Sequence, residues 1–100
     1  MKSIKSALTF KVPDMETTLP NFTFSVLHDD GEFTFLMRFF NGSWNCWVTL
    51  PNGQIQQAGI YPNVVSWSEG DNYGLLVKTD LSTIDFSSID KITLVILTWQ

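Results

Sequence analysis

A two-residue alternation of apolar and polar side chains, cut at short intervals by turn peptides, is the feature that most constrains how this chain can fold. Alternation of this period sends successive side chains to opposite faces of an extended backbone, so it commits the chain to β-strands that each bury one face. Phe22, Phe24 and Val26 share one face of a strand over 22–27. Asn41-Gly42 tolerates the two positive φ angles of a type I′ turn and joins a strand over 33–40 to one over 44–50. Pro51-Asn52-Gly53 reads as a turn of the same chemistry and leads into a strand over 54–61. His28-Asp29-Asp30-Gly31-Glu32 turns the first of these strands into the second, so four consecutive strands make an antiparallel meander.

The flanks are less regular. The segment 4–12 alternates weakly and stops at Pro13, and 13–21 reads as a loop, so residues 1–21 are expected as an N-terminal arm or an edge strand with its loop. A loop over 62–72 is centred on Trp67, a strand follows over 73–79, and Leu81, Ile84 and Phe86 suit a short helical turn within the polar connection 80–90. The last strand, 91–99, is apolar on both faces, with Ile92, Leu94 and Ile96 on one and Val95, Leu97 and Trp99 on the other. Such a strand is central in its sheet or covered by another chain. One hundred residues close a single core, so 1–100 is expected as one domain. The expected fold is all-β, a small antiparallel barrel of OB-like kind, closed or nearly closed around the four-strand meander, because closure removes exposed edges.

Composition removes several classes of function. Arg38 is the only arginine among six basic residues and the net charge is -4, so there is no basic stripe to neutralise nucleic-acid phosphates or to hold an anionic membrane. No apolar run approaches the roughly 20 residues needed to span a bilayer. The lysines near the N-terminus are not followed by the apolar run of a secretion signal, so a soluble protein is expected. Cys46 is the only cysteine, which excludes an intrachain disulfide and a cysteine-only zinc site. His28 is the only histidine, and His28-Asp29-Asp30 reads as a polar turn before Gly31. Asp71, Asp80, Asp85 and Asp90 fall in expected loops and read as solvated, not as a catalytic carboxylate pair. With no nucleophile elbow and no glycine-rich phosphate loop, the expectation is a protein that is not an enzyme and uses no cofactor, metal or small-molecule substrate.

Aromatic residues are 14% of the chain, more than one small core hides. Alternation puts Trp44 with Cys46 and Val48, and Trp47 with Asn45 and Thr49, so one of the two tryptophans faces outward and Trp47 is the better candidate. The candidate partner contacts are Phe39, Phe40, Trp47, Trp67 and Trp99. Flat aromatics of this kind anchor protein interfaces or stack on sugar rings.

Over 22–99 the order of features resembles the small baseplate plug proteins of contractile-tailed bacteriophages. Phe22-Thr23-Phe24 opens the match, Gly31 turns it, Phe35-Leu36-Met37-Arg38-Phe39-Phe40-Asn41 carries the long strand, and Trp44 and Trp47 follow. Pro51-Asn52-Gly53, Ala58-Gly59-Ile60 and Gly74-Leu75-Leu76-Val77 come next, before the apolar strand Ile92 to Trp99. The chain departs from the pattern at Asn63-Val64-Val65 and in the length of the connection 80–90. The resemblance implies a structural virion component, made in the host cytoplasm and placed at the centre of the baseplate near the end of the tail tube. Its partners would be other baseplate and tail-hub proteins, and it has no catalytic residues to carry over. The competing readings are a carbohydrate-binding β module that uses exposed aromatics and an OB-type nucleic-acid binder, the latter disfavoured by the acidic balance.

Overall fold

The computed structural model describes residues 4–12, 21–66 and 73–99. Its strands, in chain order, are β1 (Ile4–Lys11), β2 (Asn21–His28), β3 (Gly31–Phe40), β4 (Ser43–Thr49), β5 (Ile55–Gly59), β6 (Val65–Ser66), β7 (Tyr73–Lys78) and β8 (Thr93–Trp99), with a 3-10 helix over Phe86–Lys91 before the last. They form two four-stranded sheets, in the orders β2-β3-β4-β5 and β1-β8-β7-β6, and every pairing is antiparallel.

The first sheet is the expected meander. Asn41 and Gly42 have φ of 53° and 79°, as a type I′ turn requires, and they set the register Phe40↔Ser43 through Thr34↔Thr49. The turn at Pro51-Asn52-Gly53 differs from the expectation. Here only Gly53 has a positive φ, 90°, while Leu50 accepts a hydrogen bond from the Gly53 N–H at 2.9 Å and donates its own N–H to the Gln54 carbonyl at 2.8 Å. Proline at the second position holds φ negative, so the chain makes a longer turn that ends on a left-handed glycine.

The core lies between the sheets. Phe33, Phe35 and Met37 of β3 and Trp44, Cys46 and Val48 of β4 all have 0% exposure, and they meet Leu75 and Val77 of β7 and Leu94 and Ile96 of β8. Burial of each such side chain stabilises the fold by about 1.5–3 kcal/mol. Phe24 stacks on Phe35 with ring centroids 5.1 Å apart, and Phe10 of β1 meets Phe35 at 5.4 Å. β8 is a central strand, between β1 and β7, which accounts for apolar side chains on both of its faces.

The two sheets pack face to face, and no closed barrel is found: among the described residues no ladder joins β1 to β2 or β5 to β6. The N-terminal segment is an edge strand of the second sheet, paired with β8 from Lys11↔Thr93 to Ile4↔Trp99, and Val12 beyond it is buried. β6 falls within the segment expected as a loop, because two residues are too few to show a period. The short helical turn is present, with Ile84 and Ile89 buried and Phe86 packed against the core. Among the described residues no helix is long and apolar enough to cross a membrane.

Candidate functional site

The outer face of the meander carries the side chains that the core rejects. On β3 these are Thr34, Leu36, Arg38 and Phe40, and opposite them on β4 stand Thr49, Trp47, Asn45 and Ser43. Trp47 faces outward, as alternation with the buried Trp44, Cys46 and Val48 demands. Its ring and that of Phe40 lie nearly parallel, 24° apart with centroids at 6.3 Å, and the Arg38 guanidinium carbon sits 5.9 Å from the Trp47 ring centre. With Arg38 over the Trp47 ring and Phe40 beside it, they make one aromatic and cationic surface.

Tyr61 extends this surface across β5. A Cβ at Gly59 would overlap the Tyr61 ring, so the tyrosine lies against bare backbone where any other residue would displace it. Gly59 pairs with Asn45 and Gln57 with Trp47, which brings Tyr61, two amides and the Phe40–Arg38–Trp47 cluster onto one face. Phe40 is 43% and Tyr61 53% exposed. Sequence reasoning missed Tyr61 and Arg38; the signal was a glycine inside a strand two residues before an aromatic.

The other candidates go elsewhere. Phe39 points inward, edge-on to Trp44 and Phe86 at 5.3 Å each, so it belongs to the core and not to the outer face. Trp99 lies on the outer face of the second sheet, over Gly74 and beside Val65, and its indole N–H is buried without a hydrogen-bond partner among the described residues. Trp67 falls outside the described residues. Of the four candidates among the described residues, only Phe40 and Trp47 come together.

His28 has a buried side chain whose Nδ1 accepts the Asp30 backbone N–H at 3.0 Å, which leaves Nε2 to donate to Thr98 Oγ1 at 3.4 Å. Nδ1 thereby closes the turn after β2, and Nε2 ties β2 to β8. Asp80 and Asp85 are exposed, and Asp71 is outside the described residues. Among the described residues no three histidine, cysteine or acidic groups are placed to hold a metal ion. Burial pushes the Cys46 thiol up to about 12, so it is a poor nucleophile. A rigid face that can stack and hydrogen bond is what the arrangement offers.

No family model matches the chain, and neither a curated protein nor a solved structure matches it.

Proposed function

We propose that this protein is a docking module: a baseplate plug at the centre of a contractile phage tail, near the end of the tail tube, meeting neighbouring baseplate and tail-hub proteins through the outer face of the meander. The observation that carries a docking role is the Phe40–Arg38–Trp47 cluster on the outside of a fully laddered sheet. Tryptophan, tyrosine and arginine supply most of the binding energy at protein interfaces, and rings already held in place lose little entropy on docking. The tail setting comes from the resemblance over 22–99. The OB-like closed barrel that goes with it would need a ladder between the two sheets, whereas the docking role needs only the outer face. Reconstruction of the intact tail tests the assignment. Density for the chain on the tail axis at the baseplate is expected; density on the sheath or a receptor-binding fibre, or none in the virion, overturns it.

A second reading is favoured by one specific feature, the pairing of flat rings at Trp47 and Tyr61 with the amides of Asn45 and Gln57, a combination that suits a sugar ring. Saturable quenching of tryptophan fluorescence by soluble glycans, lost in Trp47→Ala, would select this reading over protein docking.

A further inference from the structure

Four strands end the two sheets, β1 and β6 in one and β2 and β5 in the other. An edge strand presents backbone N–H and C=O groups to any extended chain, and proteins blunt such edges with lysine, proline, bulges or brevity. β1 carries Lys5 and Lys11 and has a register shift between Ile4 and Ser6. β5 has five residues and β6 two. β2 has eight, with no lysine, arginine, carboxylate, proline or glycine, and its register with β3 is unbroken from Asn21↔Arg38 to His28↔Gly31. Among the described residues nothing pairs with its other edge.

The side chains along that edge are also unfinished. Phe22, Phe24 and Val26 stay half-buried on the inner face, while Phe33, Phe35 and Met37, one strand further in, have 0% exposure. Across the seam Leu8 and Phe10 of β1 are half-buried too, with Phe10 at 6.3 Å from Phe24 and a cleft of about 130 Å³ between Ala7 and Leu8 on one side and Leu27 and His28 on the other. Whatever covers this seam must bring a backbone ladder and an apolar row together, which only a β-strand does.

We propose that the strand is β2 of a second copy of this chain, running antiparallel across a two-fold axis at Ser25. In that register Ser25 faces its own counterpart, and Thr23 stands opposite Leu27, Phe24 opposite Val26 and Phe22 opposite His28. Each pair sets like faces together, so the apolar inner row runs on from one copy into the other. Leu27, 81% exposed in the single chain, gains a neighbour on the outer face. Charge does not oppose a second copy. Two chains of net charge -4 repel over most of their surface, yet β2 brings no carboxylate into the junction, and Asp29 and Asp30 lie past its end. Four strands from each copy then make one sheet of eight, and both Phe40–Trp47 clusters face the same side, as a paired docking surface.

The proposal is independent of the plug assignment and is tested on the full chain alone. Sedimentation velocity over a rising concentration series should show a monomer passing into a dimer, with hydrogen exchange in 21–28 slowing as the dimer fills. Ser25→Lys sets two ammonium groups face to face at the axis and should return the chain to monomer, and Leu27→Lys should do the same. Both positions are exposed, so far-UV circular dichroism and the melting temperature at low concentration should match the parent. Thr9→Lys, on the exposed side of β1, should leave the dimer intact. A chain that stays monomeric at its solubility limit overturns the proposal, as does a dimer that survives both lysine variants. Protection of 21–28 that does not change with concentration also overturns it, since the edge would then be covered from within one chain.

Discussion

The indole Nε1–H of Trp44 donates to the backbone carbonyl of Asp85 at 3.0 Å, across 41 positions of sequence. Trp44 has 0% exposure and stacks on Phe86 with the rings 4° apart, so this one side chain fastens the connection before β8 to the middle of the meander. Trp44→Phe keeps a ring in the site and removes the donor, which leaves the Asp85 carbonyl short of its partner. The expected loss is about 1–3 kcal/mol, read as a lower denaturant midpoint at unchanged slope. A shift below about 0.5 kcal/mol would mean that the carbonyl is satisfied in another way.

Tyr73 makes the corresponding tie at the other end, donating its O–H to Asp30 Oδ2 at 2.9 Å while its ring meets Phe33 edge-on at 5.1 Å. Burial, then the hydrogen bond to Asp30 and its negative charge, raise the phenol above its ordinary value of 10.0. The folded state therefore favours the neutral phenol more than the unfolded chain does. Its contribution to stability is complete below about pH 10 and is lost as pH rises through the folded value. Tyr73→Phe should cost about 1 kcal/mol or less at neutral pH and should flatten this alkaline decline. Urea melts of both proteins from neutral to strongly alkaline pH check it, and parallel curves would refute it.

Cys46 sits between Met37 and Ala58 in the ladder, with 0% exposure and its thiol held at about 12. Thiolate is the reactive form, so a disulfide reagent at neutral pH should label Cys46 only when the sheet opens. The labelling rate is expected to track unfolding across a denaturant series. Cys46→Ser places a hydroxyl in the same dry site and should cost about 1–3 kcal/mol. Labelling at the rate of a free thiol in native buffer would show that β4 opens locally.

What could be read from the sequence was what a short window decides. Asn41-Gly42 has one comfortable conformation, so the hairpin and its register were legible, and with them the outward position of Trp47 between Trp44, Cys46 and Val48. The turn at Pro51 was less legible, because the Asn-Gly pair matches a type I′ turn while the proline before it decides the φ angles. Phe39 shares a parity with Phe33, Phe35 and Met37, but its cover was not legible, since the ring that packs on it, Phe86, comes from a helix 47 residues later. Closure was not legible for a related reason. Whether β1 and β2 pair or only pack depends on how far each sheet twists and where its edge falls, and neither leaves a mark in a window of ten residues.

The docking face makes the sharpest prediction, because Trp44 and Trp47 stand three positions apart on opposite sides of one strand. Trp47→Ala removes a ring that touches Phe40 and Arg38 on the outside and leaves every inward side chain of β4 in place. Far-UV circular dichroism should be unchanged and stability should fall by no more than about 1 kcal/mol, whereas Trp44→Ala should cost about 3–5 kcal/mol. Under the proposed plug role, affinity for purified baseplates lacking the chain should follow the opposite order. Trp47→Ala is expected to weaken it by on the order of 2 kcal/mol, about thirtyfold, with Arg38→Gln adding to the loss by removing the cation from the same cluster. Gly59→Ala separates a shaped surface from merely greasy contact. It leaves all the rings present but pushes Tyr61 off the sheet, so docking should weaken while the apolar content of the face is unchanged. If Trp47→Ala and Gly59→Ala both dock like the parent, this face is not the one that meets the partner.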